Sequence, residues 1–429
     1  MRIKNITLLN RFWVFNRIRT NLFFHYLPLL FKKDLSFKRY ILLQKRISTF
    51  LKITKINKFY KIGKLIKIDQ SIPFFGTHSF YKFWDKFKVF DGKIPGTSVL
   101  ISVTKECSFK CKHCYQREDQ GTDVDINSLM SVTRELVNQG ITLFNIEGGD
   151  PFLEFSRLES ICETIGYDGE IWINSTGNGI TLEKLKKLKS ISNFKSVVFP
   201  LNSPNKDDVN FFMGQDYAWN TLVHGLKLCR ISNIPASLSC CLHNDDFHNG
   251  NFEYLMEIAK EFKVAHVTLI PPKAAGAWLK GEFLHSSESD IEHIKTLVKH
   301  FNKQHKYRKY PSLSAQLIDE DSEHQGCTAG GTDRFYINAK GDIQPCEFLN
   351  ISFGNINKED FIVIYNRMRK EFNTPGVNWL CDQCSKDINS LHIMGESLPL
   401  TVEKSKIIID TWQRGDATPV YSKIEDELI

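Results

Sequence analysis

An α/β fold built on a parallel sheet is predicted by two features of residues 96–310. Segments of strand character alternate one for one with segments of helical periodicity, and polar or glycine-rich clusters recur at the ends of successive strands. A third observation sets the far limit. After residue 306 the alternation gives way to a hairpin pattern and four cysteines, so a small α+β region, residues 311–429, follows the sheet. A chain of 429 residues, 42% hydrophobic, is long enough for a sizeable core and more than one domain.

Residues 1–95 form a basic, aromatic front, with 21 Lys+Arg against 4 Asp+Glu, while the remainder carries 35 against 45. Such a front suits a polyanion or acidic peptide, with an anionic membrane surface preferred to nucleic acid; a solvated helical face accounts for it as simply. The most apolar stretch, Trp13 to Phe31, is broken by Arg17, Arg19 and His25, which argues against a membrane span. From Phe37 to Ile68, Tyr40, Leu43, Ile47, Phe50 and Leu51 recur at helical spacing among lysines, predicting one or two basic amphipathic helices able to lie on a membrane surface. Pro73 and the turn residues Asp91 to Gly96 end the pattern and place a boundary near residue 95.

Strand Val99–Val103 leads into a loop with Cys107, Cys111 and Cys114, and Asp125 can cap a helix that runs to Asn138 before Gly140. Strands follow over Thr142–Ile146, Glu170–Ile173, Ser196–Leu201, Ala236–Leu242 and His266–Ile270. The helices between and after them run over Phe155–Ile165, Leu182–Leu188, Tyr217–Ile231, Phe252–Phe262 and Ser289–His305. Six such pairs imply right-handed crossovers, with ligands at the strand C-terminal ends. There lie the cysteine loop, Glu147-Gly148-Gly149-Asp150-Pro151, Asn174-Ser175-Thr176-Gly177 and Asn202-Ser203. Pro271 to Gly276, ending the last strand, shapes the substrate side or is a plain turn. Beyond, Phe335–Ile337 and Ile343–Pro345 flank a Lys340-Gly341-Asp342 turn, a helix covers Lys358 to Phe372, and Cys381 and Cys384 close the series.

Eleven cysteines without a clean secretory signal fit a reducing cytoplasm, with membrane-surface association left open by the basic front. Residues 1–33, acid-free and Arg-containing but poor in Ser, share only part of the pattern of a mitochondrial transit peptide. Three thiolates in one short loop can hold three irons of a four-iron cluster and leave the fourth open. Zinc is the competing reading, but His113, between two cysteines, is badly placed to close a tetrahedron. Cys162 and Cys229 read as core, and alternation sends one of Cys240 and Cys241 inward. His285, His293, His300 and His305 read as a solvated helical face.

Cys107-x3-Cys111-x2-Cys114 after a first strand, with Glu147-Gly148-Gly149-Asp150-Pro151 after the second, resembles the radical SAM superfamily. The resemblance implies a partial (β/α)6 TIM-like barrel, a 4Fe-4S cluster that binds S-adenosylmethionine (SAM), and reductive cleavage of SAM to a 5′-deoxyadenosyl radical that abstracts hydrogen from a substrate. It places His113 beside the adenine, Gly148, Gly149, Asp150 and Pro151 at the methionyl amine, and Asn174, Ser175 and Ser203 at the SAM carboxylate or ribose. Cys327, Cys346, Cys381 and Cys384, with Gly341 to Cys346 and Gly354-Asn355-Ile356, resemble a shortened SPASM or twitch region; this implies one auxiliary 4Fe-4S cluster, against a zinc site of the same ligands. By the same resemblance the substrate is a ribosomally made peptide, or alternatively a lipid, cofactor or tetrapyrrole, and the reductant is a flavodoxin or ferredoxin. A non-catalytic iron–sulfur or zinc protein is the reading of another class.

Overall fold

The computed structural model describes residues 3–6, 8–281 and 286–426. Its N-terminal part comprises β1 (Ile3–Asn5), α1 (Leu8–Phe31), α2 (Phe37–Ile53), the hairpin β2 (Tyr60–Ile62) and β3 (Leu65–Lys67), and α3 (His78–Trp84). Ser36 caps α2 by accepting from the Arg39 N–H. Of the one or two helices expected over Phe37 to Ile68, one forms and stops at Ile53, because Tyr60 to Lys67 pair across a Gly63 turn into a three-stranded antiparallel sheet with β1. The apolar stripe of α2 turns inward: Tyr40, Leu43, Ile47, Phe50 and Leu51 are buried with Ile18, Leu22 and Tyr26 of α1. The face expected at a membrane therefore belongs to a core, closed on its far side by Tyr421 and Ile424.

The barrel strands are β4 (Ser98–Ser102), β5 (Leu143–Glu147), β6 (Glu170–Asn174), β7 (Phe194–Pro200), β8 (Ala236–Cys241), β9 (His266–Ile270) and β10 (Ser312–Ala315). Each pairs in parallel with the next. Between them run α4 (Ile126–Asn138), α5 (Phe155–Ile165), α6 (Leu182–Ile191), α7 (Lys206–Met213), α8 (Ala218–Ile231), α9 (Asn251–Glu261) and α10 (Glu288–Lys303). Asp125 caps α4 as expected. Within the barrel two elements were not predicted, the short α7 and the seventh strand β10, which lies just past residue 310. Cys162, Cys229 and Cys240 are core residues. Of the four grouped histidines, His285 lies outside the described residues, and His293 is half-buried, bonded to the Phe247 carbonyl.

After the short α11 (Gln316–Asp319), the chain forms the expected hairpin of β11 (Tyr336–Ile337) and β12 (Ile343–Gln344). β11 lies parallel to β4, so this hairpin extends the barrel sheet to nine strands. Helices α12 (Phe361–Glu371), α13 (Leu380–Leu391), α14 (Val402–Ile409) and α15 (Pro419–Asp426) complete the chain. Among the described residues no helix is long and apolar enough to cross a membrane.

The N-terminal hairpin closes the barrel from below. Tyr60 and Phe74 pack with Trp172 of β6 and Ala265 at the foot of β9. Lys67 makes a fully buried 2.7 Å ion pair with Glu170 at the foot of β6.

Candidate active site

Strand alternation lines the barrel interior with Leu143, Asn145 and Glu147 of β5, Trp172 and Asn174 of β6, Ser237, Ser239 and Cys241 of β8, and Thr268 of β9. They surround a cavity of about 360 Å³. Its floor carries Asp69, Gln70 and Ser71, and its outer wall carries Arg334, Glu347 and Phe348 from the cysteine-rich region.

Cys107, Cys111 and Cys114 follow β4 at the mouth and are half-buried, with burial raising all three thiols, Cys107 to about 11 and Cys111 to about 12. Their loop is held by α7, which sequence periodicity did not show: Lys110 and Lys112 donate to the carbonyls of Met213 and Phe212, at 3.1 and 2.9 Å. The Met213 sulfur lies 3.6 Å from that of Cys111. Asn178 donates from Nδ2 to the Ser108 hydroxyl. The His113 ring packs against Phe212 and Trp278, with centroids 4.7 and 5.8 Å away, and burial lowers its pKa to about 4. A neutral aromatic ring thus lines the cavity.

Gly148 and Gly149 have a steric reason that the sequence did not reveal. A Cβ on Gly149 would stand 2.2 Å from the Glu106 carbonyl oxygen, and one on Gly148 2.4 Å from that of Thr104. The glycines let the β5 turn lie against the start of the cysteine loop, where Gly149 and Asp150 donate to those carbonyls at 2.8 and 2.6 Å. Asp150 is fully buried and accepts from Ser175 Oγ, the Thr176 N–H and the Phe152 N–H. Asp150 and Ser175, expected at the cofactor, therefore direct these groups at each other and tie the β5 and β6 turns together. Pro151 follows in the same buried turn.

Asn174 lines the cavity and donates to Glu147 Oε2 at 2.9 Å. Ser203 does not line it; its hydroxyl donates to Asp208 and accepts from the Asn205 N–H at the start of α7. The cavity neighbour is Asn202, whose Oδ1 accepts from the Cys241 N–H. Alternation along Val198, Pro200 and Asn202 already puts Ser203 on the other side. The same rule points Glu147 inward, although the sequence reading gave it no role. Its side chain is buried, and burial with the nearby Glu347 raises it to about 7, with Tyr115 and Asn174 opposing the rise.

The four later cysteines come from three elements. Cys327 precedes β11, Cys346 follows β12, and Cys381 and Cys384 share the first turns of α13. Burial raises all four, and Cys381 acts electrostatically on Cys346, as Cys327 does on Cys381 and Cys384. Among the described residues no three Cys, His, Asp or Glu side chains converge to hold a single metal ion. A four-iron cluster binds each thiolate through a different iron, so its ligands ring a space rather than meet at a point. Thiolates alone make up both groups, the donor set that iron–sulfur clusters take. Lys273, in the Pro271–Gly276 loop that does line the cavity, bonds Asp382 and lies 3.7 Å from the Trp379 ring centroid, fastening the mouth to α13.

Comparison with known proteins decides the family. Residues 101–263 match the Radical SAM superfamily, and residues 327–385 match the SPASM iron–sulfur cluster-binding domain, spanning both cysteine groups. The chain is a radical SAM enzyme.

The radical SAM enzyme is 21% identical over 299 residues to the AdoMet-dependent heme synthase of Nitratidesulfovibrio vulgaris, covering 65% of this chain and 80% of that one. It is 25% identical over 261 residues to the GTP 3′,8-cyclase of Alkaliphilus oremlandii, covering 57% and 79%. Among solved structures, Streptococcus suis SuiB bound to precursor peptide SuiA shares its fold, with a TM-score of 0.52 and 15% identity over 66% of this chain and 67% of that one. SuiB bound to S-adenosylmethionine gives 0.51 at 16%, covering 66% and 68%. The radical SAM enzyme accordingly uses 4Fe-4S clusters and SAM. When bound, they supply a carbon radical able to abstract hydrogen.

Proposed function

We propose that the enzyme abstracts hydrogen from a residue of a ribosomally made peptide inserted into the barrel. Cys107, Cys111 and Cys114 would hold the SAM-binding cluster, and Cys327, Cys346, Cys381 and Cys384 one auxiliary cluster. His113, Gly148, Gly149 and Asn174 would face SAM, the glycines through their backbone, while Asp150, Pro151 and Ser175 would fix the turn that presents them. The partners under this reading are the peptide, a flavodoxin or ferredoxin as reductant, and an anionic membrane surface at the N-terminal part.

The cavity carries this reading. About 360 Å³, closed below, is at the small end of ligand pockets and suits one inserted side chain beside the cofactor better than a whole macrocycle. The fold shared with SuiB, solved with a precursor peptide, is consistent with such an occupant. Glu147, Asn202 and Thr268 would orient the inserted residue, and the closed floor would exclude water. A tetrapyrrole, cofactor or lipid substrate is the second reading, favoured by relatives named as a heme synthase and a GTP cyclase.

Anaerobic reconstitution tests both readings. The reduced protein is expected to make 5′-deoxyadenosine from SAM, and a Cys107→Ala, Cys111→Ala, Cys114→Ala variant is not. Deuterium from a labelled precursor peptide encoded beside the gene should appear in that product. Stimulation by a porphyrin or nucleotide, with none by peptide, would transfer the assignment to the second reading.

A further inference from the structure

Among the described residues the outward face of α1 stands exposed. Ile18, Leu22 and Tyr26 bury one side of this helix, while Phe12, Trp13, Phe24 and Phe31 stand on the other, 64%, 71%, 61% and 77% exposed. Phe37, 67% exposed, lies just beyond the turn into α2. From Phe12 to Phe31 the stripe runs about 29 Å along the helix at 1.5 Å per residue. Phe12 packs edge to face on Trp13, and Phe23 on Phe24, so the rings form paired projections rather than isolated side chains. Patches of this kind mark interaction sites.

The charge around the stripe selects its partner. Residues 1–68 hold 17 Lys+Arg and a single acid, Asp34. Arg19, Lys32, Lys33 and Lys38 on α1, the following turn and the start of α2 form no ion pair among the described residues. Aromatic residues on one face of a surface helix, flanked by unpaired basic ones, match the interface of an anionic bilayer: the rings enter the headgroup boundary and the cations meet the phosphates. Single-stranded nucleic acid would instead call for a groove that follows its backbone, and α1 presents a convex helix.

We infer that α1 docks the enzyme on anionic membrane surfaces, lying in the interface with Phe12, Trp13, Phe24 and Phe31 inserted. The site lies on α1 and not on the stripe of α2, which faces the core. Docking holds the catalytic barrel beside the bilayer.

The test is co-sedimentation of the full-length, cluster-loaded enzyme with phosphatidylglycerol-rich vesicles and with pure phosphatidylcholine vesicles. Binding is expected only to the former, weakened by salt. Combined Phe12→Ser, Trp13→Ser and Phe24→Ser substitutions should reduce partitioning about tenfold or more, with thermal melting and 5′-deoxyadenosine formation unchanged. Arg19→Gln, Lys32→Gln, Lys33→Gln and Lys38→Gln together should reduce it with the aromatic stripe intact. Equal binding to both vesicles, or none, overturns the inference. So does a duplex or single-strand gel shift without vesicle binding, which assigns the face to nucleic acid. A dimer that the aromatic substitutions dissociate also overturns it, assigning the face to a second copy of the chain.

Discussion

Replacing Lys67 with Met tests whether the N-terminal hairpin is a structural part of the barrel. Lys67 and Glu170 are both fully buried and 2.7 Å apart, and Glu170 also accepts from the Phe74 N–H at 2.7 Å and from Trp172 Nε1 at 2.9 Å. Burial draws the Lys67 ammonium below its usual range, with Glu170 opposing. Losing one partner of a buried pair costs about 3–5 kcal/mol, because the other charge stays buried. The two remaining donors offset part of this cost, whereas the lost contacts of Lys67 with the rings of Phe74 and Trp172, 5.0 and 4.8 Å to their centroids, add to it at roughly 0.5–1 kcal/mol each. A loss of about 3–4 kcal/mol is therefore expected for Lys67→Met. Adding Glu170→Gln should restore about 2 kcal/mol, because the double variant buries no unpaired charge. Urea denaturation measures the loss, and hydrogen exchange at β3 and β6 locates it. A cost below about 1 kcal/mol with β6 protection intact would refute the claim that hairpin and barrel form one structure.

Other expectations concern the site itself. Glu147 is raised from an ordinary 4.5 to about 7, so the folded protein holds a proton that the unfolded chain releases. Stability should fall as pH rises through that window, by on the order of 3 kcal/mol, and Glu147→Gln should flatten the slope in denaturation curves taken from about pH 5 to 8. Gly149→Ala places a methyl 2.2 Å from the Glu106 carbonyl oxygen; it should cost about 1–3 kcal/mol or more and lower the iron retained at the first cysteine loop, read as iron per chain against the auxiliary site. Arg334 pairs with Glu320 and lies 3.8 Å from the Cys346 sulfur. Arg334→Gln should lower the auxiliary cluster potential by tens of millivolts in a paramagnetic-resonance redox titration, since it removes a cation and an N–H beside the proposed ligand Cys346. An unchanged potential would separate that arginine from the cluster.

The periodic parts of the chain were legible as sequence. Strands β4 to β9 were foreseen because apolar runs and turn residues mark them, and Asp125 was a readable cap. The four-residue β10, Ser-Leu-Ser-Ala, escaped notice because it is short and built of small residues. α7 escaped because it opens with Lys-Asp-Asp and gains its meaning only where Phe212 and Met213 meet the cysteine loop. The cysteine spacing pointed to the chemistry, but the partners of Asp150, Ser175 and Ser203 are tertiary contacts that spacing does not encode. For α2 the stripe was visible in the sequence, and what it faces was not.

The core around α2 also constrains how the chain assembles. Arg46 donates from Nε to the Ile424 carbonyl at 3.0 Å, across 378 residues, and Tyr421 is buried in the same cluster as Phe50. During synthesis the apolar side of α2 emerges long before α15, which supplies its last covering. Long-range closure of this kind is slow and leaves sticky surface exposed meanwhile. The core of α2 is thus finished only when α15 arrives, and the nascent chain is most prone to aggregate just before that.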